Sequence, residues 1–212
     1  MFSILADKFV TLLGKINWVF LKKFLTGREF DLTDDDHNKI RDLLASDYYI
    51  ILTRRNPHLS TYAICFAHVF LTFRRGYYSH ALMNLEGEVA TDTDFRLVEA
   101  TTKYGVAFTD FMHVFNCDSV AVLKPKNMTI DEWTSALDKA KQQIGKGYDT
   151  LYNLADEEQM SCVELVRIAL KGNPNYETDF ANFEAMIAKY KNLTPQMFYE
   201  CEDFEVVYEA RR

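Results

Sequence analysis

The chain has 212 residues, of which 48% are hydrophobic and 14% aromatic, so it holds enough apolar material for a packed core and is unlike a disordered protein. A net charge of −7, with no basic run outside the N-terminus, argues against a nucleic-acid partner. The four cysteines stand far apart and none belongs to a C-x-x-C pair, which argues against a zinc knuckle or a thioredoxin motif. We therefore predict reduced thiols, no metal, no cofactor and a cytoplasmic location.

The first 25 residues differ in character from the rest. Apolar residues recur there at spacings of three and four, as on one face of a helix, and four lysines interrupt them. No apolar run reaches the ~18 residues that a membrane-spanning helix needs. Two interpretations stay open: residues 1–25 pack on the domain or on a partner protein, or they lie on a membrane surface and make the protein peripheral to a membrane.

Helices and one strand are predicted next. The acidic stretch from Asp31 to Asp36 ends a first helix and opens a second, from about Asp35 to Ala45. Tyr48 to Thr53 is rich in β-branched and aromatic residues and predicts a buried strand. The apolar spacing from Pro57 to Phe73 predicts another helix.

The centre of the chain predicts a meander of strands. Residues Tyr77 to Leu85 alternate, which puts His80 and Leu82 on one side of a strand and Ala81 and Met83 on the other. Three further strands are predicted over Phe95–Ala100, Val106–Phe108 and Ser119–Lys124.

The last third predicts helices and a closing strand. Thr129 and Glu132 have the spacing of a capping box and start a helix. Its predicted buried stripe consists of Ile130, Trp133, Leu137, Ala140 and Ile144. Helices over Ser161–Leu170 and Phe183–Tyr190 and a strand over Phe204–Tyr208 follow. Strands and helices that do not alternate regularly indicate the α+β class.

The segment Ser161-Cys162-Val163-Glu164 carries the clearest chemical signal. Ser161 and Glu164 have capping-box spacing, which puts Cys162 in the first turn of a helix. The positive end of the helix dipole favours the thiolate form of a cysteine, and the backbone N–H groups there can stabilise an oxyanion. A buried structural thiol is the commoner use of such a cysteine, so on these local grounds both interpretations stay open.

A thiolate nucleophile needs a base, and His80 is the histidine that the pattern places within a strand, where the backbone fixes the direction of the side chain. Glu99 belongs to the next predicted strand. Antiparallel pairing would place its carboxylate opposite or diagonal to His80, where it can orient the imidazole. The alternatives are a half-buried structural histidine and a glutamate on a solvated strand face.

The order of several short motifs resembles a known family. The motifs are Tyr-Ser-His-Ala-Leu (78–82), Leu-Val-Glu-Ala (97–100), Gly-Val (105–106), Asp-Ser-Val-Ala-Val-Leu-Lys-Pro (118–125), Gly-Lys-Gly-Tyr-Asp (145–149) and Ser-Cys-Val-Glu-Leu-Val (161–166). Together they are similar to the circularly permuted branch of the NlpC-type, papain-like amidases, the YiiX-like enzymes, in which the histidine precedes the cysteine. The resemblance spans Tyr48 to Glu209.

The resemblance implies a fold and a domain division. The fold is α+β and papain-like (NlpC-type) in circularly permuted order, with an antiparallel sheet packed against the helix that carries the cysteine and with extra N-terminal helices. Residues 1–46 would be an N-terminal helical extension, and residues 47–212 the catalytic domain.

The resemblance also implies site residues. It makes Cys162 the nucleophile, His80 the base and Glu99 the residue that orients the base. Tyr148 and Ser161 are placed near the substrate or the oxyanion.

The implied function is that of a cysteine hydrolase that cleaves an amide or ester bond through a thioacyl-enzyme intermediate. Its substrate would be a small molecule, a peptide such as a peptidoglycan peptide, or an N-acyl or lipid amide. The alternative is a catalytically inactive papain-like module that binds a membrane or a partner through its N-terminal amphipathic helix, because a fold does not by itself imply a function.

Overall fold

The computed structural model describes residues 31–54, 59–84, 97–111, 116–150 and 158–211. The predicted amphipathic segment of residues 1–25 lies outside these ranges. His58, His113 and residues 85–96 also lie outside them.

The described residues form helices and strands in mixed order, as predicted for the α+β class. The helices are α1 (Asp34–Ser46), α2 (Leu59–Thr72), α3 (Ile130–Lys141), α4 (Cys162–Leu170), α5 (Tyr176–Asp179), α6 (Ala181–Tyr190) and α7 (Pro195–Glu200). The strands are β1 (Ile50–Arg54), β2 (His80–Asn84), β3 (Leu97–Thr101), β4 (Gly105–Thr109), β5 (Ser119–Pro125) and β6 (Phe204–Arg211).

These strands form one six-stranded sheet in the order β4-β3-β2-β1-β5-β6, and every neighbouring pair is antiparallel. In the register of β2, His80 lies opposite Thr53 of β1, and Leu82 lies opposite Glu99 of β3. The register therefore places Glu99 diagonal to His80, within reach of a long side chain.

One face of the sheet holds the larger apolar core. Helix α4 packs on β2 and β3, and α3 packs on α4. The buried residues of α4 lie on nearly all sides of the helix, so α4 is a central element enclosed by its neighbours. Each fully buried aliphatic side chain of this kind contributes about 1.5–3 kcal/mol to folding.

The other face of the sheet is covered by α1. Thr33 caps this helix in a box with Asp36, and Ile40 and Leu44 are buried in a cluster that includes Ile51 and Leu82. Helix α1 is therefore packed into the same body as the sheet.

Two details of the sequence prediction are wrong. Residues 77–79 are not part of the sheet ladder, so His80 is the first residue of β2 and not its middle. In α3, Trp133 is buried as predicted, but Ile130 is 71% exposed and Ile144 is 37% exposed. Ile130 is the first residue of its helix, and Ile144 lies beyond the end of the helix at Lys141, so neither follows the buried stripe.

The four cysteines, all within the described residues, form no disulfide. Among the described helices, none combines the length and the apolar character needed to cross a bilayer.

Candidate active site

The N-terminus of α4 positions Cys162. The Glu164 N–H donates to Oγ of Ser161 at 3.4 Å, and the Ser161 N–H donates to Oε2 of Glu164 at 2.6 Å, so the predicted capping box is confirmed. The cap satisfies two of the four N–H groups that a helix start leaves without intrahelical acceptors. The remaining two belong to Cys162 and Val163, and they are directed out of the helix end beside the thiol.

His80 and Glu99 are in direct contact. Nε2 of His80 lies 2.6 Å from Oε2 of Glu99. His80 is the first residue of β2, and Glu99 is the middle residue of β3. The His80 side chain is 17% exposed and Glu99 is buried, so the pair is largely shielded from water. Because Nε2 is engaged by the carboxylate, Nδ1 is the ring nitrogen left for a second partner.

Cys162 lies close to His80, and its side chain is the group that raises the pKa of the imidazole most. Burial lowers the pKa of His80, but the charge and the hydrogen bond of Cys162, followed by those of Glu99, outweigh burial and raise the pKa to about 10. An imidazole with this pKa carries a proton at neutral pH. The arrangement is thus suited to a thiolate–imidazolium pair in which the carboxylate fixes the ring.

Two other thiols have a different environment. Burial raises the pKa of Cys65 to about 11 and that of Cys201 to about 12. Both therefore remain protonated and weakly nucleophilic at neutral pH, because the thiolate is the reactive form.

Residues 145–148, a turn that follows α3, place Tyr148 beside the segment that leads into α4. The N–H of Met160 donates to the carbonyl of Gly147 at 3.0 Å, which joins this turn to the residues just before Cys162. On its other side, the N–H of Val106 donates to the carbonyl of Lys146 at 2.9 Å. Tyr148 is half-buried against the cluster that contains Cys162.

The close approach of this turn explains one glycine of the motif pattern. Gly105 has a φ of +65°, and a Cβ at this position would lie 2.1 Å from the carbonyl oxygen of Lys146. Only glycine fits both the backbone conformation and the space.

The structure thus brings Cys162, His80 and Glu99 into one chain of contacts. It places Ser161 in the helix cap, where its buried hydroxyl accepts the Glu164 N–H, and Tyr148 on the neighbouring turn. The roles assigned to these five residues remain predictions.

The structure also contains a second histidine–glutamate pair, which no pattern in the sequence indicates. His68 of α2 is buried, with Nδ1 2.8 Å from Oγ1 of Thr194 and Nε2 3.2 Å from Oε1 of Glu200. Burial lowers the pKa of His68, the opposite direction to His80, although Glu200 opposes the shift. Its partners are 126 and 132 positions away in the sequence, so no local pattern indicates the pair.

Comparison with known proteins adds a family and a fold. A family model described as "Permuted papain-like amidase enzyme, YaeF/YiiX, C92 family" matches residues 59–208. A solved structure, titled as that of the metalloprotein yiiX from Escherichia coli O157:H7, is similar with a TM-score of 0.57 and 16% sequence identity, over 79% of this chain and 98% of that chain. At this identity the similarity shows the fold alone. No curated protein matches the chain significantly.

The word metalloprotein in that title applies to the Escherichia coli protein. In the part of this chain that the structure describes, no group of three or more His, Cys, Asp or Glu side chains is placed to hold a metal ion.

Proposed function

Because the chain belongs to the permuted papain-like amidases of the YaeF/YiiX, C92 family, we propose that it is a cysteine hydrolase with Cys162 as nucleophile, His80 as acid and base, and Glu99 as the residue that orients His80. Amide cleavage is the chemistry that the family description names. The observation that carries the residue assignment is the contact chain from Glu99 through His80 to Cys162 at the start of α4.

In the first half of the reaction, the Cys162 thiolate attacks the carbonyl carbon of the scissile bond, and a carbon–sulfur bond forms. The electron pair of the carbonyl moves to its oxygen. When this pair returns, the carbon–nitrogen bond breaks and the His80 imidazolium gives its proton to the departing amine. The products of this half are a free amine and a thioester on Cys162.

In the second half, neutral His80 takes a proton from water, and the oxygen attacks the thioester carbonyl. The carbon–sulfur bond breaks, the carboxylic acid leaves, and the thiolate–imidazolium pair is restored. An ester substrate follows the same steps, with an alcohol in place of the amine.

The oxyanion of each tetrahedral intermediate is assigned to the backbone N–H groups of Cys162 and Val163. Support comes from the cap, in which Ser161 and Glu164 bind each other and leave those two amides for another acceptor. We assign Ser161 a positioning role through this cap. Tyr148 is proposed to contact the substrate from the neighbouring turn.

A labelling experiment tests the nucleophile. Wild-type protein is treated with iodoacetamide at neutral pH, and the modification of each cysteine is followed by peptide mass spectrometry. We expect Cys162 to react first, because Cys65 and Cys201 are held protonated by burial. Equal rates at the three sites would contradict the proposal.

An activity assay uses the matched variants Cys162→Ala and Cys65→Ala. Amine release is measured from N-acyl amides and from peptide amides, which represent the two substrate classes implied by the family resemblance. Cys162→Ala should abolish release, and Cys65→Ala should leave it unchanged. A Cys162→Ala variant with wild-type turnover would exclude the thiol mechanism.

A further inference from the structure

From Ala63 to Phe70, the exposed side chains of α2 are all apolar. The sequence of this helix contains no Asp, Glu, Lys or Arg. Phe66 is 60% exposed and Phe70 is 69% exposed, with their rings in edge contact at a centroid distance of 4.8 Å. The inner face of the helix instead buries Cys65 and His68. This helix therefore turns a row of aromatic rings toward solvent, the reverse of the usual pattern for a surface helix.

Phe73 extends this row past the end of the helix. Its φ is +57°, a left-handed conformation that favours glycine, and its N–H donates to the carbonyl of Val69 at 2.8 Å. Glycine is the usual residue at such a helix end. Phe73 is therefore unfavourable for two reasons: its backbone conformation is strained for a residue with a side chain, and its phenyl group is 93% exposed to water. A conflict of this kind points to a role at the surface.

Two cations border the aromatic row. Arg74 and Arg75 follow Phe73 directly, and both are exposed. The Arg74 side chain is 70% exposed and lies 3.6 Å from the Glu200 carboxylate, and the Arg75 guanidinium lies 4.9 Å from the centre of the Tyr77 ring. The chain as a whole carries a net charge of −7, so this basic rim is of opposite sign to the protein.

We propose that the aromatic ridge, defined as Phe66, Phe70, Phe73, Arg74 and Arg75, docks on the surface of an anionic lipid bilayer. The phenyl rings enter the boundary between headgroups and acyl chains, and the two guanidinium groups bind lipid phosphates.

A bilayer fits the ridge better than a protein partner does. A stable protein interface buries about 1,200–2,000 Å² and carries on the order of ten hydrogen bonds. The three phenyl rings of the ridge offer no hydrogen-bonding groups, so its hydrogen bonds could come only from Arg74 and Arg75. Binding to a bilayer does not require shape complementarity. An apolar row can insert among the lipids while the cations at its border bind anionic headgroups.

The position of the ridge relates it to the candidate site. Residues 76–79 lead from the ridge into His80 at the start of β2. Docking would hold the end of the sheet at which β2 starts next to the membrane. The docking proposal does not depend on the proposed reaction, and it holds for an inactive protein as well.

Vesicle flotation with the full chain tests the proposal. The vesicles are phosphatidylcholine alone and phosphatidylcholine mixed with phosphatidylserine. We expect binding to the mixed vesicles, and a loss of about tenfold or more in the partition coefficient for the triple variant Phe66→Ser, Phe70→Ser and Phe73→Ser. The matched control, Phe108→Ser with Ile130→Ser, alters two exposed apolar side chains on β4 and α3 and should bind like the wild type.

Insertion into the bilayer is measured separately, because the triple variant could lose binding by failing to fold. Phe70→Trp and Phe108→Trp each add one indole, and quenching by brominated lipid is compared. The proposal predicts quenching of the added indole at position 70 and none at position 108.

Several results would overturn the proposal. These are flotation of the triple variant at the wild-type level, or equal quenching of the two tryptophan variants. Binding that survives the triple variant but is lost when Lys8, Lys15, Lys22 and Lys23 are changed to Gln would assign docking to the N-terminal segment. A wild type that forms dimers by sedimentation, ignores vesicles and becomes monomeric in the triple variant would assign the ridge to a second copy of the chain.

Discussion

Two histidine–glutamate pairs lie in different regions of this molecule and behave in opposite ways. His80 contacts Glu99 at 2.6 Å at the start of the sheet strand β2, and His68 contacts Glu200 at 3.2 Å between α2 and α7. The pKa of His80 is raised to about 10, and the pKa of His68 is lowered.

The difference in pKa arises from the groups other than the glutamate that surround each ring. The influence of Cys162 on the pKa of His80, together with that of Glu99, outweighs the effect of burial. At His68 the other ring contact is the neutral hydroxyl of Thr194, and burial together with the positive charge of Arg74 outweighs the effect of Glu200. A carboxylate beside a histidine is therefore not enough to identify an acid–base site, since the remaining partners decide which form of the ring is stable.

The largest expected effect separates the two pairs by activity. His80→Gln should reduce kcat/KM by about 10²–10⁴-fold, because the leaving group loses its proton donor. His68→Gln should leave kcat/KM near the wild-type value, since His68 lies in the α2–α7 junction. Amide hydrolysis by the two purified variants gives the comparison. A similar loss in both would show that the pairs do not differ in role.

A smaller effect is expected at the carboxylates. Glu99→Gln should lower kcat/KM by more than about tenfold, because the imidazole loses the group that orients it. The alkaline limb of the pH profile should also move to lower pH, since Glu99 contributes to the raised pKa of His80. Glu200→Gln is the matched control and should change neither. An unmoved alkaline limb in Glu99→Gln would remove Glu99 from the proposed site.

Stability should depend on pH in opposite directions at the two histidines. The raised pKa of His80 means that its stabilising contribution is present below the ordinary value of about 6.5 and is lost as pH rises through about 10. The lowered pKa of His68 means that the unfolded chain takes up the proton first, so its contribution is lost as pH falls below about 6.5. The free energy of unfolding is measured in urea across pH. It should vary less with pH on the acid side in His68→Gln, and less on the alkaline side in His80→Gln, than in the wild type.

His68→Gln should also cost about 1–3 kcal/mol in the free energy of unfolding at neutral pH, because buried partners lose their hydrogen bonds. Urea midpoints of wild type and variant measure this cost. An unchanged midpoint would mean that the α2–α7 contact contributes nothing to stability.

The smallest expected effect concerns the helix caps. Ser161→Ala and Thr129→Ala each remove a capping hydroxyl and should cost about 1 kcal/mol. If Ser161 positions Cys162, Ser161→Ala alone should also slow the alkylation of Cys162. Equal alkylation rates in the two variants would reduce Ser161 to an ordinary cap.

The sequence was most informative where the signal is local. The capping boxes at Thr129 and Ser161 were predictable because a cap depends on residues three positions apart. The permuted papain-like resemblance and its fold class are confirmed by the family match and the similar structure. Antiparallel pairing of two neighbouring strands predicts Glu99 opposite or diagonal to His80, and the register shows that it is diagonal.

Other features depend on tertiary contacts and were missed. The spacing of Ile130 and Ile144 matched the buried stripe, but helix ends are not fixed by periodicity. Helix α7 is only six residues long and carries no strong pattern. The apolar spacing that predicts α2 does not indicate that Phe66 is exposed, because exposure depends on what packs around the helix.

The thiolate–imidazolium pair is the central claim, and an NMR titration of the imidazole Cε1–H signals in wild type and Cys162→Ala tests it most directly. We predict that His80 of the wild type stays protonated at neutral pH and titrates near 10, and that its pKa falls in Cys162→Ala because the largest raising influence is removed. His68 in the same spectra should titrate below its ordinary value in both proteins. A His80 signal that titrates near its ordinary value and does not respond to Cys162→Ala would contradict the account.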